Sequence, residues 1–333
     1  MKILYITNHQ TLSEQYNDYI SNLLLHGLRQ HFSESVVDFP GSWYLYKDES
    51  KIKNLDENNK LWGKGFTIRN ILDNYNSIDR ENIEQKIRTK YFNLIIYSSS
   101  RRSKPFINEA IKYNNKIIFI DGEDDQFVDK DLIKIGKYFK RELIEKKKDL
   151  HPIQFAIPRD KILNNINTKP KNLLAPLVPG RLDTYTYESE KSYYEMYQNS
   201  IFALTYKKAG WDTLRHYEIL MNGCLPIFLD IENCPANTMV NFPKNEVIEI
   251  KNKYENILKN YFPTKIFKYK FLNYKRFSDY FFNFFSNKID IDYFNEKDKN
   301  IFELKSNLLN YTKKNLTTHK LAEYIINSVR NDS

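Results

Sequence analysis

Short apolar runs alternate with amphipathic stretches along the first half of the chain. Residues 3–6 are apolar and run into Thr7, Asn8 and His9, the pattern of a buried strand ending at a polar edge. From about Ser13 onward, Tyr16, Tyr19, Ile20, Leu23, Leu24 and Leu28 recur at helical spacing. Residues 33–39 read as the next strand, closed by Pro40 and Gly41. Residues 44–84 are polar and aromatic without a clear period. Residues 94–97 form another buried-type strand, which runs into Ser98–Ser100 and Arg101-Arg102. A helix is expected from near Pro105, carrying Phe106, Ile107, Ala110 and Ile111, because Pro suits the first helical position. Residues 116–120 are a further strand, emptying into Asp121-Gly122-Glu123-Asp124-Asp125. This strand–helix–strand rhythm predicts a doubly wound parallel sheet.

Residues 164–171 are a polar connection containing Asn, Lys and Pro, and divide the chain into 1–165 and 166–333. A second α/β series follows. Strands are expected over 173–178, 201–206, 225–229 and 247–250, with helices around 193–198 and 212–222 and a helical tail over about 300–329. Two doubly wound halves would face each other across a cleft at the carboxyl ends of their strands, where ligands of such sheets bind.

Composition narrows the picture. The 333 residues are long enough for two cores, and 41% hydrophobic with 15% aromatic residues excludes a disordered chain. The first apolar run is too short for a signal-peptide core, and nowhere do about eighteen apolar residues run uninterrupted. Two cysteines, Cys224 and Cys234, make no disulfide framework and no CxxC zinc pattern. The expectation is a cytoplasmic protein, with peripheral contact at the inner membrane face as a further option, and no metal. The net charge of +9 is dispersed in a chain rich in Lys, Asn, Ile, Tyr and Phe, so it favours acidic partners only weakly.

The densest chemistry lies in Lys207-Lys208-Ala209-Gly210-Trp211-Asp212, followed by residues 213–222 and Gly223-Cys224-Leu225-Pro226. Asp212 suits an N-cap and Gly223 a C-cap. Leu214, Tyr217 and Met221 make an apolar stripe, with Arg215, Glu218 and Asn222 on the face beside it. A helix that starts at a strand's carboxyl end directs its positive pole at the cleft, and Lys207, Lys208 and Arg215 add charge, a setting for a diphosphate. An ionised Glu218 one turn on would suit a pair of ribose hydroxyls. A plain Arg215–Glu218 ion pair on an ordinary helix is the competing reading.

Arg215, Glu218, Gly223 and Pro226, in the order R-x-x-E-x-x-x-x-G-x-x-P, resemble the donor-binding segment of GT-B glycosyltransferases, closest to the exostosin-like branch. The likeness is strongest over about 201–245. It implies two Rossmann-like domains, an acceptor side in 1–165 and a nucleotide-sugar side in 166–333, with no resident cofactor. It also implies that Glu218 holds the ribose and that Arg215, with Lys207 or Lys208, holds the diphosphate; Gly210 and Trp211 belong to the same loop. Many retaining members carry a second Glu eight residues before the first, where this chain has Gly210.

An inverting transfer needs a base for the acceptor hydroxyl. Glu123, Asp124 and Asp121 are candidates at the end of their strand, with His9 as a rival and a solvated acidic turn as the plain alternative. Lys140 and Arg141 could face donor phosphates across the cleft, or belong to a solvated charged helix with Glu145 and Lys146–Lys148. Residues 265–285 interleave Lys and Arg with Phe and Tyr, suited to an aromatic core or, second, a membrane surface. The expected activity is transfer of a sugar from a nucleotide-sugar to a glycan, lipid-linked or other hydroxyl acceptor. The alternative is a GT-B-like protein that binds a nucleotide or nucleic acid without transfer; nucleic acid is the weaker partner.

Overall fold

The parallel pairing that the alternating runs demand is met in a computed structural model, which describes residues 1–8, 18–47, 61–73, 75–114, 116–180, 182–261 and 300–330. His9 and the basic-aromatic stretch 265–285 lie outside the described residues. In chain order the main elements are β1 (Ile3–Ile6), α1 (Tyr19–Phe32), β2 (Val36–Phe39), α2 (Ile83–Arg88), β3 (Leu94–Tyr97), α3 (Ile107–Tyr113), β4 (Ile117–Asp121), α4 (Lys130–Ile135), β5 (Lys137–Lys140) and β6 (Leu150–Pro152). Then come β7 (Asn172–Leu174), α5 (Glu190–Gln198), β8 (Ser200–Thr205), α6 (Leu214–Met221), β9 (Leu225–Phe228), α7 (Lys244–Tyr261), α8 (Asn300–Asn315) and α9 (Thr318–Arg330).

Strands β1–β6 form one parallel sheet in the order β2-β1-β3-β4-β5-β6, and β7–β9 form a second in sequence order. The fold is α/β. Alternate residues of each strand enter different cores: Ile3, Tyr5, Leu94 and Ile96 pack on one side of the large sheet, Leu4, Ile6, Ile95 and Tyr97 on the other. Burial on both faces explains why these strands read as continuous apolar runs. The first of the two cores continues into the second sheet, through residues such as Phe202, Leu204 and Ile227. The terminal helix α9 returns to the first half and packs on α1, where His26 Nδ1 meets Thr318 Oγ1 at 2.8 Å and the His31 and His319 rings stack at 3.9 Å.

Three expectations change. Residues 247–250 lie inside α7 and not in a strand: Val247, Ile250 and Tyr254 are buried at helical spacing, which a four-residue apolar window cannot distinguish from a strand. The charged stretch around Lys140 is strand β5, with Tyr138, Phe139 and Lys140 all buried, and not a solvated helix. Helix α6 starts at Leu214 after Thr213, and the Asp212 carboxylate does not cap it. It accepts instead from Tyr217 Oη at 2.7 Å and from the Phe155 amide at 2.9 Å. The far end of α6 follows the expected pattern. Gly223 is left-handed at φ +64, its N–H reaches the Leu220 carbonyl at 3.0 Å, and the Cys224 N–H reaches that of Ile219 at 3.1 Å. Among the described residues, no helix is long and apolar enough to cross a membrane.

Candidate functional site

The loop between β8 and α6 is fastened from behind, which leaves its front to face a cavity. Glu142, just past β5, accepts from the backbone N–H of Trp211 and of Asp212, each at 2.9 Å. A Cβ on Gly210 would lie 2.5 Å from Glu142 Oε1, so this position needs glycine for close approach. His216, in the first turn of α6, is buried against the same loop. Its Nε2 faces the Trp211 carbonyl at 2.9 Å and so carries the proton, which leaves Nδ1 to accept from Thr205 Oγ1 at 2.8 Å. Desolvation lowers the His216 pKa to about 3, with Arg215 and Lys208 adding to the effect, and the ring is neutral.

A cavity of about 230 Å³ opens in front of the loop. Tyr19, Lys64 and Phe66 from the first half form one wall, and Tyr193, Lys208, Arg215 and Glu218 from the second half form the other. Glu218 is 6% exposed. Its Oε1 accepts from Thr67 Oγ1 at 2.6 Å and its Oε2 from Tyr193 Oη at 2.7 Å. Burial raises its pKa, while these two hydrogen bonds and Arg215 oppose the rise. The Arg215 guanidinium lies 5.2 Å over the Tyr185 ring, and its Nε is buried with no hydrogen-bond partner among the described residues. Lys208 is exposed as a residue, yet its pKa is lowered to about 8, by desolvation of the ammonium first and the Arg215 charge second. The cavity thus carries one buried carboxylate beside two cations, Arg215 and Lys208, with Lys64 in the opposite wall and an aromatic lining.

Of the expected binding residues, Glu218, Arg215 and Lys208 come together at this cavity. Lys207 lies 5.5 Å over the Trp211 ring, and Gly210 and Trp211 are the buried part of the loop. Lys140 and Arg141 are placed elsewhere. Lys140 is fully buried, 2.9 Å from Asp121 Oδ1 and 3.1 Å from the Glu123 carbonyl. Arg141 bonds to the Gly122 carbonyl at 2.8 Å, to the Asp212 carbonyl and to Asp124, and its guanidinium lies 5.2 Å over Phe155.

The candidate bases are each held by a cation. Asp121 accepts from Lys140 and from Tyr138 Oη at 2.5 Å. Glu123 is gripped by Arg102 at 2.6 and 3.1 Å, Asp124 by Arg141, and Asp125 by Arg101 at 2.6 and 2.7 Å. For Glu123, burial works to raise the pKa, but Arg102, Arg101 and Lys140 win and hold it below the usual range. The Arg101 hydrogen bonds likewise hold Asp125 low. A carboxylate so stabilised is a weak base.

Sequence patterns did not point to Thr67, Tyr193, Tyr185 or Glu142 as parts of the site. The closest signal was Gly63-Lys64-Gly65 in the aperiodic region, which marks a turn but not what the turn touches. Compared with known proteins, the chain matches no family model and no curated protein.

Proposed function

We propose that the protein is a glycosyltransferase of GT-B arrangement that takes a nucleotide-sugar donor at the cavity in front of α6. The observation that carries this reading is the convergence of Glu218, Arg215 and Lys208 on one aromatic-lined cavity between the two halves. Each Glu218 oxygen accepts a hydrogen bond from a neutral hydroxyl, the kind of donor that adjacent sugar hydroxyls would supply. Arg215 and Lys208 would offset charge that develops on a leaving diphosphate, the kind of term that dominates many catalysed reactions. The acceptor, a glycan, lipid-linked or other hydroxyl compound, would approach from the side of the first half. Closure of the two halves would keep water from the donor.

A second reading, nucleotide binding without transfer, is favoured by one observation: Asp121, Glu123, Asp124 and Asp125 all carry ion-pair partners. Thermal melting with UDP, GDP, CDP, ADP and their sugar conjugates tests both readings. A ligand that binds only the folded state at 100 times its Kd adds about 2.7 kcal/mol. One selective nucleotide, weakened tenfold or more in Glu218→Gln, is the expected result; no shift with any of them overturns the donor site. Gln is the informative substitution, because Ala would leave the Thr67 and Tyr193 hydroxyls unpaired in a buried place. Release of free nucleoside diphosphate from the selected sugar conjugate then separates a transferase from a binding protein.

A further inference from the structure

Most of the wall that the first half lends to the cavity is a short strap, residues 63–67, with an unusual backbone. Gly63, Lys64, Gly65 and Thr67 all lie in the left-handed region, at φ +58, +56, +68 and +74. Such a value is strained for Thr67, whose side chain branches at Cβ. Among the described residues, the side-chain hydrogen bonds of the strap run to the other half. Lys64 Nζ reaches the Tyr187 carbonyl at 3.0 Å and Glu188 Oε2 at 2.8 Å, and the Thr67 N–H donates to Glu190 Oε2 at 2.7 Å. Phe66 stacks on Tyr193 at 5.5 Å. The Thr67 hydroxyl is fully buried. Because it donates to Glu218 Oε1 at 2.6 Å, Tyr194 Oη, 2.7 Å away, is the donor in their pairing. Strain at a residue whose hydroxyl touches the central carboxylate points to a functional position, and not to an ordinary turn.

We propose that Thr67 is an internal stand-in for a ligand hydroxyl, and that the strap gives up Glu218 when a ligand with adjacent hydroxyls enters the cavity. The proposal rests on the reading of Glu218 as the group that binds a sugar diol. Each Glu218 oxygen already accepts a hydrogen bond and the residue is only 6% exposed, so there is little room beside both donors and a diol that engages the carboxylate fully displaces one of them. Tyr193 is the harder to move: it sits inside α5, 7% exposed, and its ring packs against Tyr187, Tyr194 and Tyr197. Thr67 is the easier, because leaving its position relieves the left-handed backbone. Its hydroxyl is also the right chemical kind, a neutral donor replaced by a neutral donor with no change of charge. The strap then acts as a selectivity device, since a ligand lacking one hydroxyl of the pair gains nothing by displacing it.

Three substitutions test this. Thr67→Val keeps the shape and removes the hydroxyl, Thr67→Gly removes both hydroxyl and strain should the valine variant not fold, and Thr67→Ser keeps the hydroxyl. The probes are the ribonucleoside diphosphate selected in the melting panel and its 2′-deoxy counterpart, measured by calorimetry. Loss of the hydroxyl should tighten the ribonucleotide about tenfold and leave the deoxynucleotide within twofold, while Thr67→Ser behaves as wild type. Equal or weaker ribonucleotide binding in the hydroxyl-free variants would show that Thr67 merely positions Glu218, and would overturn the proposal. Amide exchange across 63–70 without ligand gives a separate reading of the latch. Exchange should be about tenfold faster in Thr67→Val than in Thr67→Ser, and equal rates sink the latch even if nucleotides bind. Failure of every variant to bind any nucleotide, with the exchange difference present, would instead condemn the donor reading and the competition built on it.

Discussion

The two halves each present a charged cluster where strands of a parallel sheet end, and the clusters resolve their charges in opposite ways. At the end of β4, Asp121, Glu123, Asp124 and Asp125 each meet a cation, Lys140 also lies 3.5 Å from Asp125 and Arg141 3.4 Å from Glu142, and the two most central partners, Asp121 and Lys140, are almost wholly buried. Beyond the end of β8, Glu218 of α6 sits beside Arg215 and Lys208, with a guanidinium Nε that has no hydrogen-bond partner among the described residues and an open cavity in front. The residue types are the same. Pairing to completion makes the first cluster a fastening between strand, turn and the other half, whereas incomplete pairing leaves the second with hydrogen-bonding capacity beside a cavity, as the proposed donor site requires.

The sharpest way to break this contrast is Glu142→Ala. Glu142 is 3% exposed and lies next to Arg141, and its loss strands two buried backbone N–H groups at 211 and 212. Breaking a buried ionic arrangement of this kind costs about 3–5 kcal/mol, to be read as a much lower melting temperature or denaturant midpoint. A change below about 1 kcal/mol would mean that the first cluster is not the fastening described. Gly210→Ala probes the same contact from the other side. The added methyl would crowd Glu142, with an expected loss of about 1–3 kcal/mol, and full stability would show that the loop shifts freely.

The pH dependence offers a finer test. Burial pushes the Asp212 carboxyl up to about 7, against the pull of Arg141, Tyr217 and the Phe155 amide. A carboxyl raised above its unfolded value near 3.9 contributes stability that is complete below about pH 4 and is lost as pH rises through about 7. The melting temperature of wild type relative to Asp212→Asn should therefore fall between these limits; a flat difference would show Asp212 to be ionised throughout. His216 titrates in the opposite sense, since its lowered pKa costs stability as pH falls below about 6.5, so only the paired comparison isolates Asp212. The smallest effect is expected from Glu123→Gln. Its partly exposed pair with Arg102 should be worth about 1 kcal/mol or less. Loss of about a hundredfold in sugar transfer without loss of stability would restore Glu123 as the base and undo the contrast between the clusters.

Local patterns carried the backbone well. The apolar runs at 3–6, 94–97 and 201–206 became central strands, and Leu214, Tyr217 and Met221 are buried in α6, though His216, Glu218, Ile219 and Leu220 are buried there too. They misjudged 247–250, where only the buried Tyr254 beyond the window reveals the helical period, and Lys140, whose charge suggests solvent until Asp121 is seen beside it.

The amino-acid sequence alone determined the α/β alternation, the close of α6 at Gly223 and the crowding of Lys208, Arg215 and Glu218 into one loop and helix, because each follows from periodicity or from residues a few positions apart. Tertiary structure alone decided which charges are spent and which remain available. Lys140 pairs across nineteen residues and Thr67 meets Glu218 across 151, and pairings at such separations depend on how the sheets and the 63–67 strap come together in space. A carboxylate's environment sets whether it fastens the fold or receives a ligand, and that environment is assembled from both halves of the chain.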